Sequence, residues 1–383
     1  MRVALLAAHY QPALVPCGVG DYTRCLRAAL EHRGHECVVI TSVRSRSQES
    51  RVYPIADRWG LIDCVRVWRL LRELRPDVLV VQYTPEQYGF GFAFKLLPLL
   101  VRWTQRRTTV ITTFHTLVGG RWIAKLNALM MAAASHGLVS VHAELSELFQ
   151  RHLPWWSGKL REIPIGANIP VPSLGREAAC RTLRSRLALE ERVALVGTFG
   201  FAGPGKGWDT LFQAMPDLQA TTPVHLVCIG AVREEDRPYR AELNRLAHRL
   251  GIADRVHWLV DLPAQEVTDC LAGLDVYVVP YDDGASLRRG TLMAGFQAGV
   301  PTVTTTPRYA HPALRHGETI VAVAPQSPKA LAQSVRDLLA DEDLQRRLRQ
   351  GMAAVAGQFQ WSAIAEQHVQ MRQMVKSQER QAA

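Results

Sequence analysis

An α/β fold made of two doubly wound parallel-sheet units is what this sequence of 383 residues predicts. Three observations carry the prediction. Short apolar runs of strand length alternate with amphipathic helical segments, the pattern of a parallel sheet covered on both faces. The alternation pauses once, at "ANIPVPSLGRE", where Pro170 and Pro172, with Pro164 shortly before them, lie near Gly175 and mark a linker. It then restarts with the same regularity, and the length suits two or three domains.

Each element has its own justification. "RVALLAAHY" reads as a buried strand. "GVGDYTRCLRAALEHRGH" follows as a glycine turn and a helix, with Leu26, Ala29 and Leu30 on one face and Gly34 as the stop. "ECVVITS" is the next strand. A helix from about Gly60 to Leu74 repeats Leu61, Val65, Trp68, Leu71 and Leu74 at helical spacing, and Pro76 closes it. "DVLVVQY", "TTVITTFH", "GLVSVH" and the short "REIPIG" complete the first set of strands. After the linker come "RVALVGTFG", "PVHLVCIGA", "RVHWLV", "DVYVVPY" and "VPTVTTT", each followed by a helical or turn segment. "WSAIAEQHVQMRQMVKSQERQ" reads as a closing amphipathic helix. Two such units leave a cleft at the carboxyl ends of their strands, where open α/β sheets bind ligands.

Composition narrows the function classes. The chain is 48% hydrophobic and 21% charged, ordinary for a globular protein. Its seven cysteines are scattered, with no Cys-x-x-Cys, so neither a disulfide framework nor a thiolate zinc site is expected. "VALLAA" runs into "HYQP" without a cleavage site, and no uncharged apolar run reaches the roughly 18 residues of a membrane span. A cytoplasmic protein with reduced thiols is the expectation. The net charge of +10 is uneven: residues 1–172 carry 21 lysines and arginines against 12 acids, and the remainder 24 against 23. The first half is expected to face something acidic, an anionic membrane or nucleic acid, unless the surplus serves solubility alone. No aromatic-rich binding motif supports nucleic acid, so none is expected as a partner.

Four stretches carry candidate chemistry. "CGVGDYT" resembles G-x-G-x-x-G, but Thr23 replaces the third glycine. The second strand ends Ile40-Thr41-Ser42 without the ribose-binding acid, so a dinucleotide is not expected. Gly18, Val19 and Gly20 are left as either a tight structural turn or a backbone that approaches a ligand at a helix start. "GTFGFAGPGKGWDTLFQA" is a strand, a glycine loop and a helix, with Lys206 at the helix mouth where a point charge suits phosphate. It is not a P-loop, because Gly207 follows the lysine. His115 ends the apolar strand of "TTFHT", on the edge where function concentrates. In "YDDGASLRRGTLMAGFQAGVP", Arg288 and Arg289 precede a helix whose start already carries partial positive charge, so an anion is expected opposite them. Together the four describe a site for a diphosphate-bearing ligand, which needs backbone donors, a lysine and an arginine.

These stretches, with "PDVLVVQYTPEQYG", "IPIGANI", "GLDVYVVPY" and "GVPTVTTT" in order, resemble the retaining GT-B glycosyltransferases of family 4 over essentially the whole chain. The resemblance implies two Rossmann-like domains facing a central cleft. Residues 1–168 would bind the acceptor and 169–360 the nucleotide sugar, while the helix 361–383 would cross back to the first domain. It implies transfer of a sugar from a nucleotide-diphospho-sugar with retention of configuration and no metal or other cofactor. The acceptor would be lipid-linked, a glycan or a small molecule. His115 and Lys206 would be catalytic. The family's two donor-site glutamates fall at Ser286 and Ala294 here, and its usual arginine falls among Thr198 and Phe199. Arg288 or Arg289 would restore that charge, Gly290, Thr291 and Leu292 would offer N–H groups to the diphosphate, and Asp282, Asp283 and Ser286 would meet sugar or nucleotide. The lost glutamates also admit a non-catalytic sugar-nucleotide or glycan-binding protein of the same fold. Finally, Phe90–Arg107 combines phenylalanines, leucines, Trp103 and basic residues, interrupted by Pro98. It is expected either to pack as an ordinary helix or to dock the protein peripherally on the inner face of the plasma membrane.

Overall fold

A computed structural model of the chain describes residues 1–12, 17–89, 92–116, 122–230 and 234–382. The chain divides into two compact units: Met1–Asn168 together with Gln358–Ala383, and Ile169–Gly357.

In the first unit β1 (Arg2–Ala7), α1 (Gly18–His32), β2 (Glu36–Ser42), β3 (Val52–Ala56), α2 (Leu61–Leu74), β4 (Val78–Tyr83), α3 (Pro85–Tyr88) and α4 (Ala93–Thr104) are followed by β5 (Thr109–Phe114), α5 (Trp122–Ala134), β6 (Gly137–Ser140), α6 (Ala143–His152) and β7 (Leu160–Glu162). The second unit runs α7 (Arg176–Arg186), β8 (Ala194–Phe199), α8 (Trp208–Gln219), β9 (Val224–Gly230), α9 (Arg237–Arg249), β10 (Val256–Val260), α10 (Ala264–Ala272), β11 (Val276–Val279), α11 (Gly290–Ala298), β12 (Thr302–Thr305), β13 (Val321–Val323), α12 (Pro328–Ala340) and α13 (Glu342–Ala356). The last helix, α14 (Trp361–Ala382), belongs to the first unit.

Each unit holds one parallel sheet, ordered β3-β2-β1-β4-β5-β6-β7 in the first and β10-β9-β8-β11-β12-β13 in the second. The central strands are buried from end to end, which is why their sequences read as unbroken apolar runs. Strand order reverses beside β1 and β4 in one sheet and beside β8 and β11 in the other. Connections leaving neighbouring strands at such a point turn to opposite faces, and a crevice opens at the carboxyl ends.

Two strands, β3 and β13, carry little sequence signal. Both lie at sheet edges. β3 is only partly buried and contains Pro54, which an edge strand tolerates because it need not donate to a ladder on its outer side. β13 is three residues long. The expectation that Pro98 interrupts its segment is corrected: α4 continues through it. The missing N–H forfeits one bond, while Phe94, Leu97 and Val101 are buried on either side and hold the helix. Phe90 and Gly91 lie outside the described residues.

Helix α14 is held by aromatic and close-packed contacts. The Trp361 ring meets Tyr22 of α1 edge-on at 5.0 Å, and its Nε1 donates to the Ala167 carbonyl at 2.7 Å. Gly166 is forced here, because a Cβ would stand 2.7 Å from the Phe359 carbonyl oxygen. Further along, Met371 and Val375 close on Gly137. Trp361→Ala is expected to lower the stability of the first unit by about 2–4 kcal/mol through lost packing and a lost hydrogen bond. Hydrogen exchange should quicken in α14 and α1 and stay unchanged in residues 169–357.

Candidate functional site

The second unit assembles a cationic site where β8 and β11 part. Leaving β8, the loop Gly200–Gly207 relies on three glycines with positive φ: 129° at Gly200, 81° at Gly205 and 68° at Gly207. A Cβ on Gly207 would lie 1.8 Å from the Pro280 carbonyl oxygen, so the loop presses its backbone directly on the end of the next strand. The Asp282 N–H donates to the Gly205 carbonyl at 3.2 Å. Gly200 likewise leaves no room for a side chain beside Thr291. These contacts put Lys206, the two aspartates and the start of α11 on one edge. Lys206 is half-buried, and its Nζ donates to the Phe201 carbonyl at 2.6 Å.

Arg289 is the N-cap of α11. Its guanidinium lies 4.6 Å over the Tyr281 ring, and the Tyr281 hydroxyl bonds Thr291 Oγ1 at 2.6 Å. The anion facing the arginines is internal. Asp283 accepts from Arg288 Nη2 at 2.7 Å with one oxygen and from Arg289 Nη2 with the other. Ser286 shapes this turn rather than facing outward: its carbonyl accepts from the Arg289 N–H at 3.1 Å and its Oγ from the Arg288 N–H at 3.4 Å.

Asp282 remains apart from the arginines. Burial, with Asp209 and Asp283 nearby, raises its carboxyl above the usual range. Asp282 Oδ1, Arg289 Nε and Thr198 Oγ1 are buried atoms without a hydrogen-bond partner among the described residues. Unpaired buried polar atoms are uncommon, and three on one edge mark a site with unspent hydrogen-bonding capacity.

Two expectations are corrected. Leu292 has no N–H to offer, because the tight first turn of α11 directs it to the Arg289 carbonyl at 3.0 Å. Gly290 and Thr291 remain in the first turn, whose N–H groups a helix cannot satisfy internally. Gly18, Val19 and Gly20 are not a loop but the first turn of α1. Gly20 is required by packing, since a Cβ would stand 3.0 Å from the His9 carbonyl oxygen, and Thr23 returns its hydroxyl to the Val19 carbonyl at 2.7 Å.

In the first unit His115 follows β5 directly and is 8% exposed. Its Nε2 lies 2.8 Å from Gln82 Oε1, and the Tyr22 ring meets it edge-on at 4.8 Å. Burial, with His368 and His142 close by, pushes its pKa down to about 3, so the ring is neutral at physiological pH. Sequence reasoning missed Gln82, Tyr22 and His368. Each sits in an ordinary strand or helix pattern, and only the fold brings them to His115. It also missed a small hollow at the ends of β8, β9 and β10, where Trp208 and Trp258 stack at 5.7 Å and Arg240 covers Trp258 at 4.6 Å. Among the described residues no group of three or more His, Cys, Asp or Glu is arranged to hold a metal ion.

Comparison with known proteins defines the class. Residues 16–169 match the family Glycosyltransferase Family 4, and residues 190–341 match Glycosyl transferases group 1. The D-inositol 3-phosphate glycosyltransferase of Corynebacterium efficiens is 24% identical over 96% of this chain and 94% of its own. A GDP-mannose-dependent alpha-(1-6)-phosphatidylinositol monomannoside mannosyltransferase of Mycobacterium tuberculosis is 31% identical over 49% of each chain. The structure of HepE from Anabaena in complex with UDP and glucose superposes with a TM-score of 0.72, at 15% identity, over 97% of this chain and 98% of that one. The chain belongs to the group 1 glycosyltransferases of the GT-B fold.

The close approach of Gly207 generates a prediction. Gly207→Ala adds strain at positive φ and a clash with Pro280, together about 2–4 kcal/mol. Chemical denaturation should show that loss, and Gly205→Ala, where a Cβ meets nothing within 4 Å, should lose less.

Proposed function

We propose that this glycosyltransferase moves a sugar from a nucleotide-diphospho-sugar to an acceptor with retention at the anomeric carbon. The observation that carries the reading is the meeting of Lys206, the arginine pair and the start of α11 at the β8–β11 switch point. As the glycosidic bond breaks, the leaving diphosphate gains negative charge. Preplaced cations and helix N–H groups stabilise that charge more than they stabilise the ground state. Side chains supply the countercharge in this reading, so it calls for no metal. Asp282, whose unpaired oxygen can accept from a hydroxyl, is assigned to the sugar or nucleotide. The first unit is assigned to the acceptor, and His115 to the donor sugar.

Asp283 modifies the picture. A diphosphate must displace its carboxylate from Arg288 and Arg289. Ion pairs as exposed as these contribute only about 0–1 kcal/mol, so their exchange is mild. Calorimetry with UDP, GDP and ADP tests the whole assignment. Arg288→Ala, Arg289→Ala and Lys206→Ala should each weaken binding by roughly 1.5–3 kcal/mol. Asp283→Asn should tighten it slightly. His115→Ala should cut turnover while leaving nucleotide affinity nearly intact. Unchanged binding in the double arginine variant removes the pair from the donor site.

We further assign the protein to the cytoplasmic face of the membrane, beside a lipid-linked acceptor. Helix α4 leaves Leu96 48% and Trp103 70% exposed, with Phe92 at its start 46% exposed and Arg106 and Arg107 exposed beyond its end. Lys95 takes no part, contrary to the sequence expectation: it is buried, donates to the Gly89 carbonyl at 2.5 Å, and burial lowers its pKa to about 8. No described helix is long and apolar enough to cross a membrane. Apolar bulk beside arginines suits the interface, where each basic residue adds about 1 kcal/mol near anionic lipid. Co-sedimentation should therefore rise with the anionic lipid content of vesicles and fall with salt. Trp103→Ala and the Arg106→Glu, Arg107→Glu pair should each reduce it. Equal recovery on neutral and anionic vesicles would leave a soluble acceptor as the better reading.

A further inference from the structure

Strand β4 reads Val-Leu-Val-Val-Gln-Tyr, and its one amide side chain, Gln82, is fully buried. A leucine there would extend the apolar run with no polar group to satisfy. Gln82 instead spends its carbonyl on His115 and leaves its own Nε2 buried without a partner among the described residues. Such a group costs about 1–3 kcal/mol, so stability alone does not account for the residue. What the contact determines is the protonation pattern of the imidazole. A carbonyl oxygen only accepts, so His115 Nε2 carries the hydrogen, and in a neutral ring Nδ1 then holds the lone pair.

The surroundings keep the ring neutral. His115 is faced by Tyr22 from α1, by His142 from the start of α6 and by His368 from α14. The Tyr22 hydroxyl lies 3.5 Å from His368 Nε2, and His368 Nδ1 lies 3.0 Å from the Ile364 carbonyl oxygen. None of the three supplies a negative charge to an imidazolium.

We propose that Gln82 is a positioning residue which fixes His115 in the Nε2–H tautomer, so that His115 serves the reaction as a neutral hydrogen-bond acceptor through Nδ1 toward a sugar hydroxyl. This rests on the assignment of His115 to the donor sugar and specifies its role there: it excludes His115 as a cation opposite the reacting carbon.

The test is nitrogen NMR of the full chain labelled at histidine, with the His115 signals identified from His115→Phe. In the unaltered protein His115 should show one tautomer, protonated at Nε2, with no titration above pH 5. Gln82→Leu should shift the tautomer ratio about tenfold toward Nδ1–H. It should lower turnover roughly 10- to 100-fold while nucleoside diphosphate affinity holds within about twofold. Gln82→Glu keeps an acceptor at the same place. It should preserve the tautomer and recover most of the turnover near neutral pH. The added carboxylate favours the imidazolium and raises the His115 pKa, so activity in this variant should fall earlier as pH drops. A ring protonated at Nδ1 in the unaltered protein overturns the proposal. So does a Gln82→Leu variant with unchanged tautomer or turnover. If Gln82→Leu does not fold, the unaltered protein and Gln82→Glu still decide the question. Full turnover in His115→Ala would instead overturn the assignment of His115 to the donor, whatever its tautomer.

Discussion

The candidate donor site depends on one backbone contact, the closure of Gly207 against the carbonyl of Pro280. The two loops leave neighbouring parallel strands, β8 and β11, at the same end of the sheet. A residue without a Cβ, in a left-handed conformation, allows the approach. Once it is made, Asp282 bonds to Gly205, Gly200 fits under Thr291, and a lysine and two arginines share one edge of one sheet. The chemistry is thus set by sterics before it is set by charge.

Charge then explains the odd placement of two arginines at a helix start. Repulsion from the helix dipole is relieved by Asp283, which spans both guanidiniums. A phosphate entering this place exchanges one anion for another. The arginine pair therefore faces an anion in both conditions, a single carboxylate against two guanidiniums when no phosphate is bound.

The sequence made the architecture legible because central strands buried on both faces are continuous apolar runs, as in "DVLVVQY" and "DVYVVPY". Edge strands gave way first: β3 is half-exposed and β13 is short. Lys206 and Arg288 in the second unit, and His115 in the first, stood out in the sequence because each is polar where a strand or helix turns. Gln82, Tyr22 and His368 were not. Their burial around one imidazole is a product of three elements far apart in the chain, and local pattern carries no record of it. Leu292 misled for the opposite reason: its sequence context is that of a ligand loop, but its N–H is engaged by the helix it begins. Gly18–Gly20 form the first turn of α1, the helix start that is one of the two readings their sequence allows.

The first unit is discontinuous, and the second is inserted within it. During synthesis the inserted unit is complete once Gly357 has emerged, whereas the first still lacks α14. Tyr22 waits for Trp361, and His115 for His368, until α14 leaves the ribosome. A chain cut short before Trp361 lacks both contacts. The order in which the polypeptide is made therefore brings α14 to the surroundings of His115 only after the inserted unit has been synthesised.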